Sequence, residues 1–166
     1  MNHPESVAGV LFSPDRKSLL LILRRDVPVW VLPGGGIDPG ESPEEAILRE
    51  ILEETTLSVK IVRLIGTYTP INRLTRTTLL FELAPLSGTP SSSCETQAAA
   101  YFPLSHLPPM PPPYPEWIAD ALLSLPPITR PLSSVTYLAL VRHTLAHPIL
   151  VFRFLLARLG FPLNTK

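Results

Sequence analysis

At 166 residues the chain is long enough for one domain with a proper core and a small appendage. Lysine plus arginine equal aspartate plus glutamate at 14 each, so the formal net charge is zero. That balance makes no demand for nucleic acid or an anionic membrane as a partner. The single cysteine, Cys94, excludes an intrachain disulfide and fits a reducing, cytoplasmic compartment. No basic region followed by an apolar run opens the chain, so no signal peptide is expected. Arg142, Arg153 and Arg158 interrupt the apolar C-terminus, so no transmembrane helix is expected, and they are too sparse for a helix lying on a membrane surface to be favoured.

In chain order, Val7–Phe12 reads as a strand, and Ser13-Pro14-Asp15 as a turn. Leu19–Leu23 is a continuous apolar run, the pattern of a strand buried on both faces, closed by Arg24 and Arg25. Val29–Leu32 is a short β-rich segment stopped by Pro33 and three glycines. Ser42-Pro43-Glu44-Glu45 starts a helix, with Ser42 as N-cap, Pro43 at the first turn and Glu45 completing a capping box. The helix is expected to end near Thr55. Val59–Tyr68, Thr77–Leu83 and Ala98–Phe102 read as further strands. Pro108–Pro115 predicts extended polyproline II, as a stiff connector or a ligand for a proline-binding domain. Glu116–Leu125 follows as a short helix. Leu132–Leu145 and Ile149–Leu159 are two apolar segments at helical spacing. The pattern is that of an α/β (α+β) fold, with a domain over residues 1–125 and an apolar helical extension over 126–166. The extension can pack back on the domain or build a homodimer.

The stretch from Gly35 to Leu57 concentrates negative charge. Glu50, Glu53 and Glu54 stand at i, i+3 and i+4, on one helical face. Ile47 with Ile51, and Leu48 with Leu52, supply apolar stripes that hold the carboxylates at the rim of a buried helix. Like charges at this spacing repel, and Arg49 offsets only part of the repulsion. An oxygen-ligated Mg²⁺ or Mn²⁺ turns that repulsion into binding. Gly34, Gly35 and Gly36 allow close approach of a ligand, and a carbonyl at Gly34 is a candidate metal ligand. Pro39-Gly40 turns the chain so that Glu41 returns toward the helix.

This segment resembles the Nudix hydrolase signature, G-x5-E-x7-R-E-U-x-E-E-x-G-U, where U is bulky and aliphatic. Gly35, Glu41, Arg49-Glu50, Ile51, Glu53-Glu54 and Leu57 fill its positions. Thr56 stands where the family has the glycine that ends the helix in a left-handed conformation. A threonine in that conformation costs about 1–2 kcal/mol. Trp30 before the glycine turn and the late ETQAAAYFPLSHLP segment extend the resemblance over about residues 5–125.

The resemblance implies an α/β/α sandwich with a mixed sheet and an Mg²⁺-dependent hydrolase of nucleoside diphosphates linked to another moiety. It implies that Glu50, Glu53 and Glu54 bind metal, that Glu41 completes the metal cluster as a further ligand or supports it, and that Arg49 orients a box glutamate through a salt bridge. The general base is either Glu53 or a glutamate on a later loop, for which Glu95 is the candidate. Arg24 and Arg25 reach a substrate phosphate or form rim salt bridges. Gly35 and Gly36 approach the substrate, and Tyr68 stacks on a base or ribose, whereas core packing suits Trp30 better. Pro70 follows the box about where ADP-ribose-hydrolysing members carry a proline. ADP-ribose or a nucleotide sugar is therefore the first expectation for the small-molecule substrate. A nucleoside triphosphate or dinucleoside polyphosphate is the second. A non-catalytic nucleotide-sensing module is the reading from another class, and the full set of box carboxylates speaks against it. His143 and His147 have metal spacing but no visible third ligand, and Cys94 has no neighbours that would activate it.

Overall fold

The computed structural model describes residues 4–123 and 125–146. In chain order it forms β1 (Ser6–Leu11), β2 (Ser18–Arg24), β3 (Trp30–Val31), β4 (Gly34–Gly36), α1 (Pro43–Thr55), β5 (Ser58–Thr69), β6 (Thr78–Ser87), β7 (Thr96–Pro103), α2 (Tyr114–Leu122), β8 (Ile128–Pro131) and α3 (Tyr137–Ala146).

Strand alternation sets the layers. From β1, Val7 and Leu11 join a core cluster with Ala46, Ile47 and Ile51 of α1, while Ala8 and Val10 join another with Trp117, Ile118 and Ala121 of α2. The apolar run of β2 divides the same way, Leu20 toward α1 and Leu19 and Leu21 toward α2. The sheets thus lie between two helices. Five strands run in the order β4-β1-β6-β5-β8, and three in the order β3-β2-β7. β1 with β6 and β5 with β8 are parallel, and the other pairs are antiparallel. This is the mixed-sheet α/β/α sandwich that was expected.

Four features differ from the expectations. The glycines of β4 form more than a turn, because Gly34–Gly36 pair with Ser6–Ala8. Only one apolar stripe of α1 is buried: Ile47 and Ile51 are enclosed, but Leu52 is 55% exposed. α2 starts at Tyr114, within the proline run, with Pro115 in the first turn, where its missing N–H leaves no bond unmade. The sheet and core also continue past residue 125. β8 pairs with Gly66–Thr69, and Leu132 behind it is 1% exposed.

α3 begins at Tyr137 and exposes Leu138, Val141 and Leu145. The second apolar segment, residues 149–159, and His147 lie outside the described residues. No helix among the described residues is long and apolar enough to cross a membrane.

Candidate active site

The ends of α1 are fixed by local chemistry. Ser42 Oγ accepts from the Glu45 N–H at 3.2 Å, and the Glu45 carboxylate accepts from the Ser42 N–H at 2.9 Å. The capping box read from the sequence is therefore formed. At the other end Thr56 adopts the left-handed conformation, φ 62° and ψ 11°, and donates its N–H to the Leu52 carbonyl at 2.9 Å. The helix leaves as it would with glycine.

Arg49 is the hub of the acidic face. Its Nε and Nη2 grip the two oxygens of Glu41, each at 2.9 Å. Its Nη1 donates to Glu50 and Glu53, each at 3.0 Å, and Nη2 also donates to the Gly36 carbonyl at 3.1 Å. This fork holds the Glu41 carboxyl below its usual range. Glu41 is thereby the partner of Arg49 and orders the cluster from behind.

Carboxylate oxygens of Glu50, Glu53 and Glu95 lie within 4.8 Å of one another. Two come from α1 and the third from the loop before β7. Glu54, expected among the metal ligands, accepts from the Gly34 N–H at 2.7 Å through one oxygen and lines the same cavity as Glu50 and Glu95. Gly34 thus contributes its amide to a glutamate. Glu50 and Glu54 are each 8% exposed. Burial pushes the Glu50 carboxyl up and raises that of Glu54 to about 8. Clustered, partly desolvated carboxylates form the hard, all-oxygen donor set that suits Mg²⁺ or Mn²⁺. A Cβ at Gly35 would meet the Glu50 carboxylate and force it to shift.

Beside the cluster lies a cavity of about 420 Å³, lined by Arg24, Arg25, Gly34, Gly35, Glu50 and Glu95, with Asp26, Glu54 and Cys94. Both arginines reach it, each held by a second group. Arg24 forks onto Asp26 at 2.8 and 2.6 Å. Arg25 donates to the Ser93 carbonyl at 2.6 Å, bracing the loop that carries Glu95.

Tyr68 does not line this cavity. It is fully buried under α2, and its hydroxyl donates to Asp120 at 2.6 Å. The aromatic groups near the site are Tyr114 and Trp117. They line a second cavity, of about 260 Å³, together with Leu32, Arg76, Thr78 and Gly34–Gly36. Sequence reasoning missed both. Their signal was an aromatic pair at i and i+3 that straddles the end of the proline run. Trp30 packs edge-on against Phe102, as the core reading predicted.

A mixed sheet between two helices, with a carboxylate cluster beside a glycine strand, is the architecture of a Nudix domain. Residues 2–122 match the family model of the NUDIX domain, and the chain belongs to that family. A Bacillus subtilis protein named as a putative 8-oxo-dGTP diphosphatase is 51% identical over 61 residues, 37% of this chain and 41% of its own length. An ADP-ribose pyrophosphatase of Methanocaldococcus jannaschii is 35% identical over 112 residues, 64% of this chain and 66% of its own length. The chain thus spans less than two thirds of either relative. The crystal structure of an ADP-ribose pyrophosphatase from Streptococcus suis superposes with a TM-score of 0.66 at 27% identity, covering 78% of this chain and 99% of that one.

Proposed function

We propose that the protein is a divalent-metal-dependent pyrophosphohydrolase acting on a nucleoside diphosphate linked to a second moiety, with ADP-ribose or a nucleotide sugar as the first candidates. The observation that carries this reading is the convergence of Glu50, Glu53 and Glu95 beside a cavity lined by Arg24 and Arg25. The three carboxylates hold Mg²⁺ or Mn²⁺. When bound, the cation neutralises charge on the pyrophosphate and makes an attacking water more acidic.

The remaining work falls to the chain's own groups. Arg49 fixes Glu50 and Glu53 relative to each other through one guanidinium. Arg24 and Arg25, already oriented by Asp26 and Ser93, offer their remaining donors to phosphate oxygens. Glu53 or Glu95 takes the proton of the attacking water. The second cavity offers Tyr114 and Trp117 to the nucleoside, across the glycine strand from the carboxylates.

The named activities of the M. jannaschii and S. suis proteins support the ADP-ribose choice. A (d)NTP or dinucleoside polyphosphate is the alternative. The B. subtilis relative favours it, although that match covers only 37% of the chain. A non-catalytic nucleotide sensor is disfavoured because Arg49 and every box carboxylate are present.

Incubation of the chain with Mg²⁺ and a panel of ADP-ribose, nucleotide sugars, dinucleoside polyphosphates and (d)NTPs tests this reading. ADP-ribose is expected to yield AMP and ribose phosphate. Glu53→Gln is expected to lose about 10²–10⁴-fold in kcat with its circular dichroism spectrum unchanged. No turnover on any substrate, or a variant as fast as the parent, would sink the reading.

A further inference from the structure

Thr56 is a left-handed residue where the family signature has glycine. Glycine takes this conformation freely and threonine does not. The contacts of its side chain show what holds it there. The Thr56 hydroxyl oxygen lies 3.2 Å from the Thr89 carbonyl and 2.9 Å from the Ser91 hydroxyl. A hydroxyl has one donor and two acceptor pairs, so Thr56 donates to Thr89 and accepts from Ser91.

Two neighbouring bonds join the same two segments. The Ser91 N–H donates to the Thr55 carbonyl at 3.2 Å, and the Thr96 hydroxyl donates to the Glu54 carbonyl at 2.7 Å. Those carbonyls are the orphans that every helix leaves at its end. The loop over residues 88–96 therefore hangs on the last turn of α1, and this loop carries Glu95.

We propose that Thr56 is a positioning residue: its hydroxyl fastens the 88–96 loop to the end of α1 and so holds Glu95 within reach of Glu50 and Glu53. A glycine at 56 caps the helix equally well but leaves the loop without this fastening. The departure from the family pattern thus exchanges an easy backbone for a fixed third carboxylate. The inference rests on the reading of Glu50, Glu53 and Glu95 as a divalent-cation site.

The test is Mn²⁺ binding by the full chain, followed by electron paramagnetic resonance of the free ion and by calorimetry. Thr56→Gly is expected to weaken Mn²⁺ about five- to tenfold. Thr56→Ser keeps the hydroxyl and is expected to bind within about twofold of the parent. Ser91→Ala acts from the loop side, leaves the helix exit untouched, and is expected to show a smaller loss of the same kind. Glu95→Gln weakens binding, and adding Thr56→Gly to it changes affinity by less than about twofold, since the two act through one group. A parent that takes up no Mn²⁺ overturns the site reading and the inference with it. A parent that binds, with Thr56→Gly binding equally well, overturns the role of Thr56 alone. So does a Thr56→Gly loss that persists in full in the Glu95→Gln background.

Discussion

The two cavities on either side of β4 are built from opposite materials. The first gathers carboxylates and guanidiniums: Glu50, Glu54 and Glu95 opposite Arg24 and Arg25. The second gathers the rings of Tyr114 and Trp117, the aliphatic Leu32 and Val7, and the hydroxyls of Ser6 and Thr78, with Arg76 as its cation. Gly34 and Gly35 belong to both. On the proposed reading, a single strand without side chains divides bond breaking from nucleoside recognition. The division also follows origin. The charged cavity takes Glu50 and Glu54 from α1, and the aromatic one takes Tyr114 and Trp117 from α2.

The shared strand is where the comparison breaks most severely. Gly35→Ala puts a methyl group where the Glu50 carboxylate lies. It is expected to lower kcat/KM about 10²-fold and to weaken Mg²⁺ by a similar order, because a ligand is displaced. Kinetics with a metal titration checks this, and an alanine variant of parental activity would mean that Glu50 is not held as described. A smaller effect sharpens the other side. Tyr114→Ala is expected to raise KM about tenfold while kcat stays within about twofold, as loss of an aromatic binding contact does. A fall in kcat at constant KM would put Tyr114 on the chemical side of the strand.

The smallest effect is the response to pH. Burial raises the Glu54 carboxyl from 4.5 to about 8, and Glu50 moves in the same direction. Between those limits the folded chain holds a proton that the unfolded chain has released. This stability is fully present below pH 4.5 and is lost as pH rises through about 8. Glu41 and Asp26 are shifted down, so their contribution is lost only in acid, outside this window. The melting temperature in a chelator should therefore fall by a few degrees from pH 5.5 to 8.5, and the stabilisation by Mg²⁺ should grow over the same range. A metal-free melting temperature that is flat or rising would contradict the assignment. Tyr114 is also raised by burial, from 10.0, above this range, so the aromatic cavity should show no such dependence.

What the sequence disclosed follows the reach of the interactions. Ser42, Glu45, Arg49, Glu50 and Glu53 were legible because helical geometry alone relates them. The strands of the sheet were legible from β-branched and apolar runs. Tyr68 was misread because alternation gives two faces but does not say which one α2 will cover. The convergence of Glu95 depends on a loop that meets the helix across 33 to 42 residues of chain. No local pattern records such a meeting. β8 was hidden for a related reason: four residues ending in proline look like a break until a partner strand is known.

That short strand decides how the chain can be shortened. β8 runs along the outer side of β5, so close at Gly66 that a Cβ there would meet the Ile128 carbonyl at 2.8 Å. Arg63, from β5, donates to the carbonyls of Ala121 and Leu125 on the way. A version trimmed at residue 125 would uncover the β5 edge over Gly66–Thr69, the four residues that β8 pairs with, a template for sticking to other copies. The few residues that look like a linker are the selvedge of the sheet, and a trimmed form should keep residues through Leu132.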